Sequence, residues 1–542
     1  MASHPVADQQ NLGSEVHSLG SSARRVAQVL LPSFSDFLFL AVFIWLFATG
    51  SGAWLSLLGD ADSGWHIRTG DWIRQHRTVP QVDIFSFVKP GHPWFAWEWL
   101  TDVIFSVVHQ LAGLKGLVLL AAVQISLFGT ILFRHMIWRG VTPFVALTVS
   151  LLVFGASSIH FLARPHVVTL LALTLSMWLI DADRRQPSAR IWTLVPITAV
   201  WVNLHGGFLA LIACLGLLTV GTMVGALSTD GWVLQGSGWR QAKRYALLTM
   251  ACGAASLLNP YGWKLHAHIA SYLQSSFIKD NVQEFQSPTF RSEHALQFEV
   301  MLFLALITVL YLIAKRDFVA PLWIAFWAHA ALGSVRHVPL FTIVAAPFVG
   351  QALTELWSRW MEQAPRSSTR GVLASLSRDM APNCRRSSWL IPAAILFFCL
   401  APSRLVRWPE DYPSVVFPVQ MMAKYGERLA EAKTLMPDQW ADYAIYRHYP
   451  KQKVYVDGRS DFFGEQIGYE YLQMAQGHWN WKQLLDKNGF QYVLCPPKWP
   501  LSSLLKLDPT WALLADDGQA LLFERRAQPP VQTSSHASVG QP

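Results

Sequence analysis

Stretches of apolar residues long enough to cross a bilayer recur from residue 36 to residue 402, and no other feature limits the fold so strongly. A helix rising about 1.5 Å per residue needs roughly 20 apolar residues to span the hydrocarbon core. About eleven segments approach that criterion, at 36–58, 113–133, 141–160, 166–181, 191–205, 207–227, 245–258, 298–314, 318–333, 338–356 and 389–402. Several are short, so a re-entrant or broken helix at 141–181 or 191–227 stays open. Only 14% of the residues are charged and 52% are hydrophobic, against about 25% charged in a soluble protein. The expected fold is a polytopic α-helical membrane protein.

The charges test that topology. Arg24 and Arg25, Arg134 and Arg139, Arg184 to Arg190, Arg240 to Arg244, Lys315 and Arg316, and the loop from Arg359 to Arg386 all fall on one side if the segments alternate. Positive residues mark the cytoplasmic side, so the N-terminal tail, 1–35, is expected in the cytoplasm of a multi-pass inner (plasma) membrane protein. The net charge of +8 is thereby explained without nucleic acid, which is not expected as a partner. The apolar run after Arg25 is too long for the core of a cleaved signal peptide. Five scattered cysteines, without C-x-x-C spacing, give neither a disulfide framework nor a zinc site.

The opposite connections carry His66, His92, His160, His166, His205, His266, His268, His294 and His337. Ionisable groups are costly near a bilayer core, so their gathering at segment ends on one face suggests a site there. The first such loop, 59–112, holds Asp60-Ala61-Asp62, an amphipathic stretch from Ile67 to Gln75, and Glu98 between Trp97 and Trp99. From Trp99 to Leu111 apolar residues recur at helical spacing, as in a helix lying along the membrane surface. Beyond Pro402 the chain loses its membrane character. Short strand-like runs at 454–456, 492–494 and 521–523, turns at Asp457-Gly458 and Asp517-Gly518, and helical character over 464–487 predict an α/β domain. The expected division is a transmembrane domain over 36–402, an extracytoplasmic domain over 403–527 and a disordered tail over 528–542.

Asp60 and Asp62 lie two apart, and in an extended segment they point to one side. Such a pair can share a divalent cation, Mg2+ or Mn2+, or one member can serve as a base that the other orients. Glu98 suits a sugar hydroxyl or a metal, and equally a helix's first turn. Arg164 and Arg336, each followed closely by a histidine (His166 and His337), stand at segment mouths on the side where positive charge is unexpected. Each asks for an anion, and a phosphate matches a guanidinium bidentately. Pairing with Asp60, Asp62 or Glu284 is the structural alternative. Asn203-Leu204-His205-Gly206-Gly207 and Asn259-Pro260-Tyr261-Gly262 are junctions that break helices. No phosphate-binding loop, serine-hydrolase elbow or H-E-x-x-H motif occurs.

An acidic D-x-D motif after the first span, a surface helix, a polytopic bundle and a soluble outer C-terminal domain resemble the C-type glycosyltransferase superfamily. That group includes protein O-mannosyltransferases, the lipid A aminoarabinose transferase and the oligosaccharyltransferases. Asp60 to Gly70 with Pro80, Asp83-Ile84-Phe85-Ser86, Glu98-Trp99-Leu100, Ala163 to His166, Asn203 to Gly207, Asn259 to Gly262, Arg336-His337 and Asp457-Gly458-Arg459 look like a bacterial branch of it. The resemblance implies an inverting transfer of a sugar from a polyprenyl-phosphate donor to a lipid, glycan or protein acceptor outside the cytoplasm. Asp62, or Asp60 beside it, would be the catalytic carboxylate, and a divalent cation there is left open. His66, Glu98, Arg164, His166, His205, Glu284, Arg336 and His337 are the candidate substrate-binding residues. A transporter or flippase of a lipid-linked or anionic substrate would also explain the outer arginines, but it predicts polar residues at mid-membrane and often an internal repeat. A non-catalytic assembly protein would make the clustering on one face a coincidence.

Overall fold

The structure, a computed structural model, describes residues 32–48, 53–231, 234, 236–292, 295–362, 364–365, 367–385, 388–400 and 408–526. Most of the expected N-terminal tail, the expected disordered tail, Arg24, Arg25, His294 and Arg386 lie outside the described residues. The chain divides into two compact units, one formed by residues 1–58 and 97–410, the other by 59–96 and 411–542. The first loop, up to Ala96, thus belongs with the C-terminal domain.

The first unit is helical, and a helix occupies each of the eleven apolar stretches. Among the described residues, five helices pass the length and composition test for crossing a membrane: Trp99–Trp138, Pro143–His160, Phe208–Asp230, Ala295–Ala314 and Val335–Glu362. Shorter apolar helices cover Phe34–Leu46, Ala189–Leu204, Val319–Gly333 and Leu390–Leu400. Val338–Glu362 is the core helix, with Phe341, Ile343, Val344, Ala345, Ala346 and Val349 wholly buried. Ala295–Ala314 turns Phe303, Leu306, Ile307 and Leu310 outward, a surface suited to lipid tails rather than water. The surface helix expected at 99–111 and the span after it form one helix broken at Gly113. That residue has φ of 60°, a conformation costly for any side chain with a Cβ.

Ion pairs join the basic connections to one another. Arg139 and His135 hold Asp181, Arg184 holds Asp317 at 2.8 Å, and Arg244 holds Asp183. These contacts gather the connections around 139, 184, 244 and 317 at one end of the bundle. At the other end the remaining connections meet, and they carry the candidate residues described below.

The second unit contains a four-stranded mixed sheet in the order β1-β2-β4-β3, with β1 Thr434–Leu435, β2 Tyr492–Cys495, β3 Trp511–Asp516 and β4 Leu521–Arg525. β1 is parallel to β2, and β4 is antiparallel to both its neighbours. Gly518, with φ of 80°, makes the expected turn between β3 and β4. The run 454–456 is no strand: Val454 forms only an isolated bridge with Ser86. Its apolar side chains are nonetheless buried, which is why the run reads like a strand. The Asp62–His76 helix packs on the Asp438–His448 helix, so the acidic motif belongs to this unit's core.

Candidate functional site

Candidate residues fall into two clusters, one in each unit. In the second unit the motif acids are not extended. Asp62 opens the helix, and Asp60 Oδ1 accepts the backbone N–H of Asp62 at 2.8 Å. Asp62 is only 3% exposed, and its Oδ1 accepts from the Gln439 side-chain amide at 3.3 Å. One turn apart on the facing helix, Asp438 and Asp442 point the same way. Asp442 is wholly buried, and its Oδ1 accepts the Gly458 N–H at 3.1 Å. Burial first, then the charges of Asp62 and Asp457, hold the Asp442 carboxyl well above the usual carboxylate range. Burial likewise raises Asp438. His66 is buried on the Asp62–His76 helix, its ring stacked on Trp65.

Beside this group stands a buried guanidinium. Arg459 reaches Asp83 at 2.8 Å and Asp457 at 2.7 Å. Rings of Phe85, Trp94, Phe462 and Phe463 surround its Cζ. Two sequence motifs, Asp83-Ile84-Phe85-Ser86 and Asp457-Gly458-Arg459, are therefore one structural lock, with Asp83 also accepting the amide and hydroxyl of Ser86. The lock fixes the backbone on which Gly458 rides.

The first unit's cluster is built where its helices stop. Leu194–Leu204 ends at His205, whose Nδ1 meets Thr169 Oγ1 at 2.7 Å and the Gly207 N–H at 3.0 Å. Its Nε2 lies 3.5 Å from Glu98. Trp99 donates to Asn203 at 2.7 Å, and Thr101 donates to the Leu204 carbonyl at 2.6 Å. Those bonds fix the start of the 99–138 helix against the Asn203-Leu204-His205 junction. His166 meets the His160 carbonyl at 2.7 Å, and His160 meets the Val335 carbonyl. Arg164 donates to Glu284 at 2.7 Å, while Ser334 donates to the Glu284 carbonyl at 2.8 Å. Arg164, Arg336 and the nearby histidines hold the Glu284 carboxyl well below the usual range, Arg164 most of all.

Arg336 differs from Arg164. Its guanidinium lies over the Phe285 ring at 4.3 Å, and no ion pair or hydrogen bond engages it among the described residues. His337 borders a cavity of about 490 Å³ lined also by Lys279, Phe285, Gln286 and Ser334. The structure thus joins Glu98 to His205, His160 to His166, and Arg164 to Glu284, and sets Arg336 over the Phe285 ring.

The described residues show no built site of three or more ligands around Asp60 and Asp62. Asp60 turns back onto the Asp62 amide, and Asp62 takes the Gln439 amide. No step is derived through a metal. Sequence reading missed Asp442 and Gln439. The available signal was Asp438 and Asp442 at i and i+4, two like charges on one helix face that disfavour each other in water.

No family model matches the chain, and no curated protein matches its sequence. Among solved structures, the archaeal oligosaccharyltransferase AglB from Archaeoglobus fulgidus, in complex with an inhibitory peptide and a dolichol-phosphate, is similar at TM-score 0.53 and 13% identity. The match covers 92% of this chain and 74% of that one. ArnT from Cupriavidus metallidurans, bound to undecaprenyl phosphate, matches at TM-score 0.48 and 14% identity, over 90% of this chain and 97% of that one. The likeness to the oligosaccharyltransferase, at 13% identity, shows that the chain shares the fold of that solved structure.

Proposed function

We propose that this protein is a membrane glycosyltransferase that moves a sugar, with inversion, from a polyprenyl-phosphate-linked donor to a lipid, glycan or protein acceptor outside the cytoplasm. One observation carries the reading: Asp62, the motif acid, is a nearly buried carboxylate at the head of a helix, fixed by Gln439. A buried base beside polar positioning groups serves proton transfer.

Asp62 accepts the proton of the acceptor hydroxyl as that bond breaks. The acceptor oxygen bonds to the anomeric carbon, and the bond from that carbon to the lipid phosphate breaks, its electron pair leaving with the phosphate. A single displacement inverts the anomeric centre. Arg336 receives the negative charge that develops on the phosphate, as preorganised cations do, with Arg164 held in place by Glu284. Glu98, His66, His166, His205 and His337 are proposed to bind the sugar and the head group. Asp60, through its bond to the Asp62 amide, orients the base. No cofactor is assigned.

The topology proposed with this chemistry has about eleven crossings of the inner membrane and a cytoplasmic N-terminus. Residues 36–58 and 97–402 form the transmembrane domain, and the loop 59–96 joins 403–527 in the extracytoplasmic one. The test is transfer of labelled sugar from polyprenyl-phosphate donors by membranes that carry the protein, compared with membranes carrying Asp62→Asn.

A further inference from the structure

The sequence pairs Asp62 with Asp60, but the fold gives it a different partner. A methyl group on Gly458 would lie 2.3 Å from Asp62 Oδ1 and 2.9 Å from Asp442 Oδ2. Both oxygens therefore border the small space that the glycine leaves open, and no residue with a Cβ fits there without displacing them. Asp442 Oδ2 is wholly buried and has no hydrogen-bond partner among the described residues. A buried oxygen of that kind is costly unless a proton or a cation satisfies it.

We propose that Asp442 is a positioning residue for Asp62, the two carboxyl groups holding one proton between them across Gly458. The inference rests on the glycosyltransferase reading for its purpose, though not for its geometry. Two carboxylates that border one small buried space cannot both ionise readily. The surrounding charges add to this. Asp62 comes from the Asp62–His76 helix, Asp438 from Asp442's own helix and Asp457 from the segment before Gly458. The phenols of Tyr412 and Tyr471 also face the group and are pushed above their ordinary value by burial. Arg459, next in sequence to Gly458, is committed to Asp457 and Asp83.

In the resting pair the proton sits on Asp442 and is donated towards Asp62, leaving Asp62 ionised. When the acceptor hydroxyl gives its proton to Asp62 the pair holds two, and release of one to water restores it. The working form is thus singly protonated. Transfer should fall at low pH as the pair takes a second proton, and at high pH as it loses the only one.

Two readouts on the full-length protein test this. The first is infrared difference spectroscopy of wild type against Asp442→Asn, without donor, in H2O and D2O. A protonated-carboxyl carbonyl band at neutral pH that shifts in D2O and is missing from the variant is the expected result. Its absence from wild type overturns the proposal, and so does its disappearance on adding Mg2+, which would mean two ionised carboxylates on a cation. The second readout is the pH profile of transfer. Asp442→Asn keeps a donor towards Asp62 that cannot ionise, so the alkaline fall should vanish while neutral transfer drops by about tenfold or less. Asp442→Leu should lose about 10²-fold or more. An unchanged alkaline fall in Asp442→Asn contradicts the shared proton. The band without transfer from any donor sinks the glycosyltransferase reading alone, and transfer without the band sinks the pair alone.

Discussion

Arg164 holds Glu284 through a 2.7 Å hydrogen bond, whereas Arg336, close enough to bear on the same carboxylate, rests on the ring of Phe285. One carboxylate thus serves two guanidiniums and pairs directly with one. Around Glu284 the arrangement leaves a local positive surplus of one guanidinium. Such a surplus is what a leaving phosphate requires.

Removing Glu284's charge should therefore weaken the bundle more than the binding of an anion. Glu284→Gln is expected to cost about 1–3 kcal/mol through the partner left behind, read as a lower unfolding temperature in detergent. The sign with pH follows from Arg164, which depresses the carboxyl. Its contribution is complete above the ordinary carboxylate value and fades only as pH falls below that value. The gap between variant and wild type should be constant from about pH 5 to 8 and close in stronger acid.

Arg336→Ala should lower kcat/KM for a polyprenyl-phosphate sugar by about 10²-fold or more. Arg336→Lys should recover only part of it, because an ammonium cannot match phosphate oxygens in a planar fork. The unfolding temperature should barely move, since no ion pair or hydrogen bond is lost. A steady-state comparison of the three proteins reads this directly.

Arg459→Met should behave in the opposite way. Asp83 and Asp457 would be left buried without their cation, at a cost of about 3–5 kcal/mol. Faster hydrogen exchange across the 62–76 and 438–448 helices measures the loss.

Gly458→Ala should abolish transfer while the protein stays folded, because the added methyl group meets Asp62 Oδ1 at 2.3 Å rather than an apolar wall. Near-wild-type transfer by this variant would mean that Asp62 moves freely and that its position is not set here.

Much of the architecture was legible because membrane insertion writes itself into a sequence. Apolar length, the alternating basic loops and the breaks at Asn203-Leu204-His205 and Asn259-Pro260 are local signals, and helices stop there. Arg164's pairing with Glu284 was already open as a structural alternative. Less legible was anything made by residues far apart in the chain. The extended reading of Asp60-Ala61-Asp62 failed because Ser63 to His76 draws Asp62 into a helix. Asp442 lies in a run without a motif and gains meaning only where the Asp438–His448 helix packs on that of Asp62. Arg459 looked like part of a short motif, and only the fold reveals Asp83 as its second carboxylate.

The measurement that bears most directly on the central claim is single-turnover transfer of radiolabelled sugar from a panel of polyprenyl-phosphate donors. It compares membranes holding equal amounts of correctly inserted wild type and Asp62→Asn. The account expects transfer by wild type from at least one donor and a loss of about 10²–10⁴-fold in the variant, the range for removing a general base. Equal transfer by both proteins would contradict the role given to Asp62, and no transfer by wild type from any donor would contradict the glycosyltransferase itself.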